Sequence, residues 1–217
     1  MSKPRELDDL PYARHLSRFV GTLEQHADYD TAYFVDLEVE DGEVGNARFT
    51  ECAFTKAVLT GGRYSRTRFN DVWMNNVRLV GASFAESSWL DAEVAQGSLA
   101  GVEMFNAELT RVSFHDCRFD AVNLRGARLK EVTFRNCVLQ DVDFAGATLT
   151  DVTVPGSELR GARMAGVQLK KVDLRGASVL DVADGITSLQ GAVVSSLQLA
   201  ELAPTMARTL GLVVKDR

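Results

Sequence analysis

The sequence is poor in the residues that carry chemistry. Its 217 residues include only three His, three Cys and four Pro. His15, His26 and His115 are scattered, with no metal-ligand spacing around them. No GxGxxG, GxxxxGK, GxSxG or HExxH string occurs, which removes the usual motif routes to a nucleotide, hydrolase or zinc-protease site. No catalytic residue, cofactor or metal is therefore expected, and the chain reads as non-enzymatic. A run of 18 apolar residues is also missing, so no helix is expected to span a membrane. The first 25 residues carry charge throughout, from Lys3 to Glu24, and do not read as a secretory leader. An odd number of cysteines argues against a disulfide framework, and a cytoplasmic location is expected. Thirty acids against 24 bases give a net charge of -6, which argues against non-specific nucleic-acid binding and leaves room for a basic partner; no direct nucleic-acid contact is expected.

What the sequence does contain is a period of five. Stepping from Phe34 through Val39, Val44, Phe49 and onward, thirty consecutive positions as far as Val179 are apolar. At 46% hydrophobic composition, chance would give this about once in 10¹⁰ trials. The position two before each centre is equally restricted: it is Ala, Val, Cys, Gly, Ser or Thr in twenty-nine of thirty cases, Leu37 being the exception. The remaining positions are mostly polar, charged or Gly.

Neither a helix nor a continuous strand repeats every five residues. A short extended segment with two inward residues, followed by a right-angled corner, does. Four such sides close a square coil of twenty residues, and coils stacked at about 4.8 Å form strand-like hydrogen bonds. Phe49, Phe69 and Trp89 should then lie above one another, as should Leu59, Leu79, Leu99 and Phe119. The small inward residue is needed because the tube has no room for two large side chains per side. Thirty repeats make a rod of roughly 36 Å. Cys52, Cys117 and Cys137 fall at the small inward position and read as core residues. Cys117 and Cys137 should stack on adjacent coils, close enough for a bridge, with free thiols the expected state. His115-Asp116-Cys117 is no catalytic pair, because this frame turns Cys117 inward and its two neighbours outward. Tyr64 is an inward centre whose hydroxyl must find a partner or reach the surface.

The repeat resembles the pentapeptide-repeat family, with consensus A(D/N)LXX. Leu124-Arg-Gly-Ala-Arg128, Leu159-Arg-Gly-Ala-Arg163 and Leu174-Arg-Gly-Ala-Ser178 are strings of that type. The consensus Asp or Asn is kept only at Asn123, Asp143 and Asp173. The resemblance implies an all-β solenoid: a right-handed quadrilateral parallel β-helix with a short C-terminal helical cap.

Three segments are expected. Residues 1–31 form an N-terminal cap, where Leu16, Phe19, Val20 and Leu23 could make the stripe of a short helix. Residues 32–194 form the β-helix. Residues 195–217 form a helical cap, with Ser195 or Ser196 as N-cap and Leu199, Leu202, Met206 and Leu210 on one face. Pro204 should kink this helix or start a second one. Val213 and Val214 leave an apolar tail. The stripe either covers the last coil or also joins two chains. In the quinolone-resistance members of the family, the Qnr and MfpA types, such a segment forms a dimer. By that resemblance a homodimer through Leu199, Leu202, Met206, Leu210 and Val213 is expected.

With no insertion in the frame, each outward residue can be assigned to a wall. The wall centred on Val39, Leu59 and Leu79 carries Glu38, Glu40, Asp41, Asp120, Asp141, Glu158 and Asp181 against Arg78, Arg118 and Arg160. It is the most acidic of the four. Several members of the family mimic double-stranded DNA, binding type II topoisomerases, notably DNA gyrase, and protecting them from quinolones or natural-product inhibitors. The resemblance implies the same here, with the acidic wall as the partner-binding surface. A non-enzymatic structural or interaction module with an unrelated protein partner is the alternative.

Overall fold

Pairs of inward residues every five positions leave the backbone amides one outlet, the coil above and the coil below. The computed structural model describes residues 3–213 and Lys215, and its chain coils in this way. Strands of mostly three residues pair in parallel with those twenty residues away, for example Phe49 with Phe69 and Phe69 with Trp89. Three walls are continuous ladders. The Phe34 wall has seven strands, from Ser17–Arg18 to Thr133–Arg135. The Val39 wall has eight, from Glu38–Glu40 to Val179–Asp184. The Phe49 wall has eight, from Asp28–Asp30 to Gln168–Lys170. The Val44 wall is held by single bridges, from Glu43↔Arg63 to Asp143↔Arg163. The result is a quadrilateral parallel β-solenoid of about eight turns with one short C-terminal helix. Seven steps between eight strands give a wall roughly 34 Å long.

The interior follows the five-residue frame. Twenty-seven of the thirty centres are buried; Val39, Leu169 and Val179 are half-buried. Aromatic rings stack along the axis: Tyr29, Phe49, Phe69 and Trp89 follow one another at 4.8, 5.0 and 4.1 Å between centroids. Cys52, Cys117 and Cys137 are buried free thiols. Burial pushes the Cys52 thiol up to about 11. The hydrogen bond to Cys117, reinforced by burial, pushes Cys137 well above the usual thiol range.

The register becomes irregular in the last coil. Leu159 pairs with Leu180 rather than Val179, Ala162 returns to the twenty-residue spacing with Val182, and Arg163 shifts again to Asp184. Leu180 is buried while Val179 is half-buried, so the inward place expected of Val179 belongs to its neighbour. These shifts take the chain off its register just before it leaves the solenoid.

The ends differ from the sequence expectation. No α-helix forms among residues 3–31; two 3₁₀ turns, Leu7–Asp9 and Ala13–His15, precede the strand Ser17–Arg18. Val20 is 88% exposed, so the proposed stripe does not exist. Phe19 instead plugs the open end, its ring 4.7 Å from Phe34 and 5.5 Å from Tyr29. Upstream of it the chain lies along the outside of the Phe34 wall. Leu10 and Tyr12 bury Ala53 and Trp73 beneath them. Trp73 Nε1 donates to the Arg5 carbonyl, and Arg5 reaches Glu93 on the next strand.

At the other end, the side chain of Ser195 accepts from Gln198 N and starts the helix Ser196–Thr209 (α1). Pro204 lies inside this helix, which runs on without a second start. Gln198 closes the last coil: its Nε2 donates to the Leu174 and Ala177 carbonyls, and its Oε1 accepts from Ser195 N. Leu202 is buried against the solenoid.

Candidate functional site

On the Val39 wall, Glu38 and Glu40 flank the inward Val39 on one strand and both point out, as alternation demands. Asp41 follows at the corner, with left-handed backbone at φ 48°. Asp and Asn tolerate that conformation better than most residues. The next coil has Gly61 at the same corner, and a side chain there would run into the Asp41 carboxylate. Gly61 therefore leaves Asp41 its place. Gly161 does the same for Asp141.

The seven predicted carboxylates share this wall but not one state. Asp120 is 3.9 Å from Arg118, and Glu158 is 2.9 Å from Arg160. Asp141 accepts from Gln140 Nε2 at 2.8 Å. Asp181 accepts from Gly161 N at 3.0 Å. Glu38, Glu40 and Asp41 are exposed and take no ion pair or side-chain hydrogen bond among the described residues. A partner would thus meet three unneutralised charges at the N-terminal end of the wall and paired or bonded ones beyond.

A second acidic row escaped the wall-by-wall reading. Glu51, Asp71 and Asp91 stack on successive coils at the corner after the Phe49 wall, each left-handed. Only Asp91 is neutralised: Arg111 binds it through Nε at 2.6 Å and Nη2 at 2.7 Å, which holds its carboxyl below the usual range. Counting modulo twenty by corner as well as by wall exposes this row. This row and the trio Glu38, Glu40 and Asp41 lie in the N-terminal half, where residues 32–110 hold 12 acids and 6 bases; residues 111–180 hold 8 and 11.

His115 faces outward as expected, yet it is only 5% exposed. Burial lowers its affinity for a proton, against an opposing pull from Glu93. Its partner in the discarded motif, Cys117, lies inside the tube with its thiol donating to the His115 and Val94 carbonyls. Among the described residues no group of His, Cys, Asp and Glu is placed to hold a metal, and no helix is long and apolar enough to cross a membrane.

The residues expected at a dimer interface divide. Leu202 is 3% exposed and Met206 packs on the same core, so these two cover their own solenoid and are not available to a partner. Leu199, Leu210 and Val213 are exposed, joined by Leu197 and Leu212. Val214 lies outside the described residues.

The family model described as pentapeptide repeat region matches residues 87–164. Among solved structures, a trypsin-treated form of QnrB1, a plasmid-mediated fluoroquinolone resistance protein, is similar at 15% identity. That match covers 88% of this chain and all of the other, with TM-score 0.29. HetL of the cyanobacterium Nostoc sp. strain PCC 7120, involved in heterocyst differentiation regulation, is similar at 16% identity. It covers 81% of this chain and 93% of HetL, with TM-score 0.32. A thylakoid-lumen pentapeptide repeat protein of Arabidopsis thaliana is 19% identical over 56% of this chain and 71% of its own, with TM-score 0.22. Among curated protein sequences no match is found.

Proposed function

We propose that this chain, whose residues 87–164 match the pentapeptide repeat region model, is a non-enzymatic, rod-shaped DNA mimic. It binds a type II topoisomerase, DNA gyrase, in the cytoplasm and protects it from quinolone-like or natural-product inhibitors. The observation that carries this reading is the trio Glu38, Glu40 and Asp41, exposed and unpaired on a rigid wall about as long as ten base pairs. Carboxylates held on a stiff surface lose little entropy when they meet a basic groove, and their field steers the encounter. Total charge is not the basis. B-DNA over ~36 Å carries about 21 negative charges, whereas residues 32–184 hold 22 acids and 17 bases, a net of -5. The likeness therefore rests on shape and on the N-terminal half.

The same reading includes a homodimer through the C-terminal segment, in which Leu199, Leu210 and Val213 with Leu197 and Leu212 pair with a second copy. Joined there, two rods place their acidic halves at the outer ends. Light scattering at micromolar concentration should give twice the chain mass of 23.7 kDa; a monomer ends the dimer reading.

Purified protein should inhibit gyrase supercoiling or relieve ciprofloxacin-stabilised cleavage. No effect at a tenfold molar excess would favour the second reading, a rigid interaction module for another protein. That reading draws on the same walls.

A further inference from the structure

The Phe49 wall carries a trough of ≈ 1120 Å³ that belongs to neither acidic row. Its floor is made by short side chains such as Thr50 and Ser88 between taller ones, and its basic end holds Arg48, Arg66 and Arg68. Elsewhere a basic side chain typically meets an acid one coil below: Arg63 with Glu43, Arg111 with Asp91, Arg128 with Glu108, Lys171 with Asp151. Here Arg48 stands in register with Arg68, like charge directly opposite like charge, an unfavourable pair on a sheet. Arg48 has Asp28 at 3.8 Å. Arg66 and Arg68 have no carboxylate within 4.0 Å among the described residues. Arg48 and the Arg66–Arg68 pair thus line two neighbouring coils of one concave surface, with Asp28 the one carboxylate within 4.0 Å of them among the described residues. Asn46, Asn70 and His26 line the same end and add hydrogen-bonding groups.

We propose that this end of the trough binds a phosphomonoester carried by an extended peptide. Paired guanidinium forks match the oxygens of a dianionic phosphate. The far end of the trough carries Glu86 and Glu108; Arg128 holds Glu108, while Glu86 has no cation within 4.0 Å among the described residues. A long polyanion laid along it would be repelled by Glu86, so the ligand's negative charge is compact. The coils of Arg48 and Glu86 lie two apart, about 10 Å, which an extended peptide covers in about three residues. The fitting sequence is a phosphoserine with a basic residue three positions on. This site lies on a different wall from Glu38, Glu40 and Asp41 and stands or falls apart from gyrase binding.

Isothermal titration calorimetry tests it with the full chain and a short phosphoserine peptide carrying Lys at the third following position. The phosphopeptide should bind at least about tenfold more tightly than its unphosphorylated twin or a version with Glu for Lys. The double variant Arg66→Gln, Arg68→Gln should lose this binding. Inorganic phosphate bound as tightly as the peptide would overturn the peptide part and leave an anion site only. No binding at millimolar peptide, or equal binding by the double variant, would overturn the site itself. Without ligand, Arg68→Gln should melt above the parent, because it relieves the Arg48–Arg68 contact; a lower melt would remove the electrostatic argument.

Discussion

A single inward hydroxyl sets the clearest residue-scale test. Tyr64 is 1% exposed, and its hydroxyl has no hydrogen-bond partner. Burial pushes its ionisation up to about 12. The ring fits because Gly42 is below it, where a Cβ would lie 2.8 Å from the hydroxyl. An unmet buried hydroxyl costs about 1–3 kcal/mol. Tyr64→Phe should therefore raise the thermal midpoint, read by circular dichroism; a fall would mean that the hydroxyl has a partner. His115 gives the second test. Its folded state binds a proton less readily than the unfolded chain, whose imidazole titrates near 6.5. The stability tied to neutral His115 is thus present above about pH 6.5 and lost as pH falls through the lower folded value. His115→Gln should melt with a shallower decline than the parent as pH falls below about 6.5. Parallel curves would place His115 in solvent. At this scale the sequence was legible wherever a residue's inward or outward sense decided its fate. It misled where an outward residue is covered. Tyr33, Ala53 and Trp73 stand in one outward column of the Phe34 wall, an apolar run where polar residues were due. That column was the available sign of the covering N-terminal segment.

At the scale of elements, the two ends are closed by different means. The N-terminal segment plugs one end with Phe19 and fastens itself to a wall through Leu10, Tyr12 and the Arg5–Glu93 pair. The five-residue frame does not extend to it, so its path depends on contacts between residues such as Arg5 and Glu93, 88 positions apart. Periodicity cannot reveal such pairs. The apparent stripe of Leu16, Phe19, Val20 and Leu23 was too short to outweigh strand pairing at Ser17–Arg18. The C-terminal helix was easier to read, because Ser195 and Gln198 form a capping box that opens an apolar stripe. What the pattern did not show is that Gln198 also caps the carbonyls of Leu174 and Ala177. Gln198→Ala leaves the Ala177 carbonyl unmet, while the Leu174 carbonyl keeps Ala177 N at 3.0 Å, and should destabilise the chain by about 1–3 kcal/mol, measured by urea unfolding. An unchanged midpoint would show that the helix does not close the coil.

For the whole molecule, the distribution of charge matters more than its sum. The acidic wall was legible by counting modulo twenty, because the coil has no insertion before the slip at Leu180. Which carboxylates are free was not, since that depends on how long Arg side chains such as Arg118 and Arg160 fold onto their neighbours. Along the Val39 wall, the carboxylates free of both ion pairs and side-chain hydrogen bonds among the described residues thus stand at the N-terminal end. The most direct measurement compares two triple charge reversals in the ciprofloxacin-stabilised gyrase cleavage assay, each with a melting curve as control. Glu38→Lys, Glu40→Lys, Asp41→Lys should abolish protection without lowering the melt, while Asp141→Lys, Glu158→Lys, Asp181→Lys should keep most of it. Full protection by the first variant, or none by the parent protein, would contradict the account.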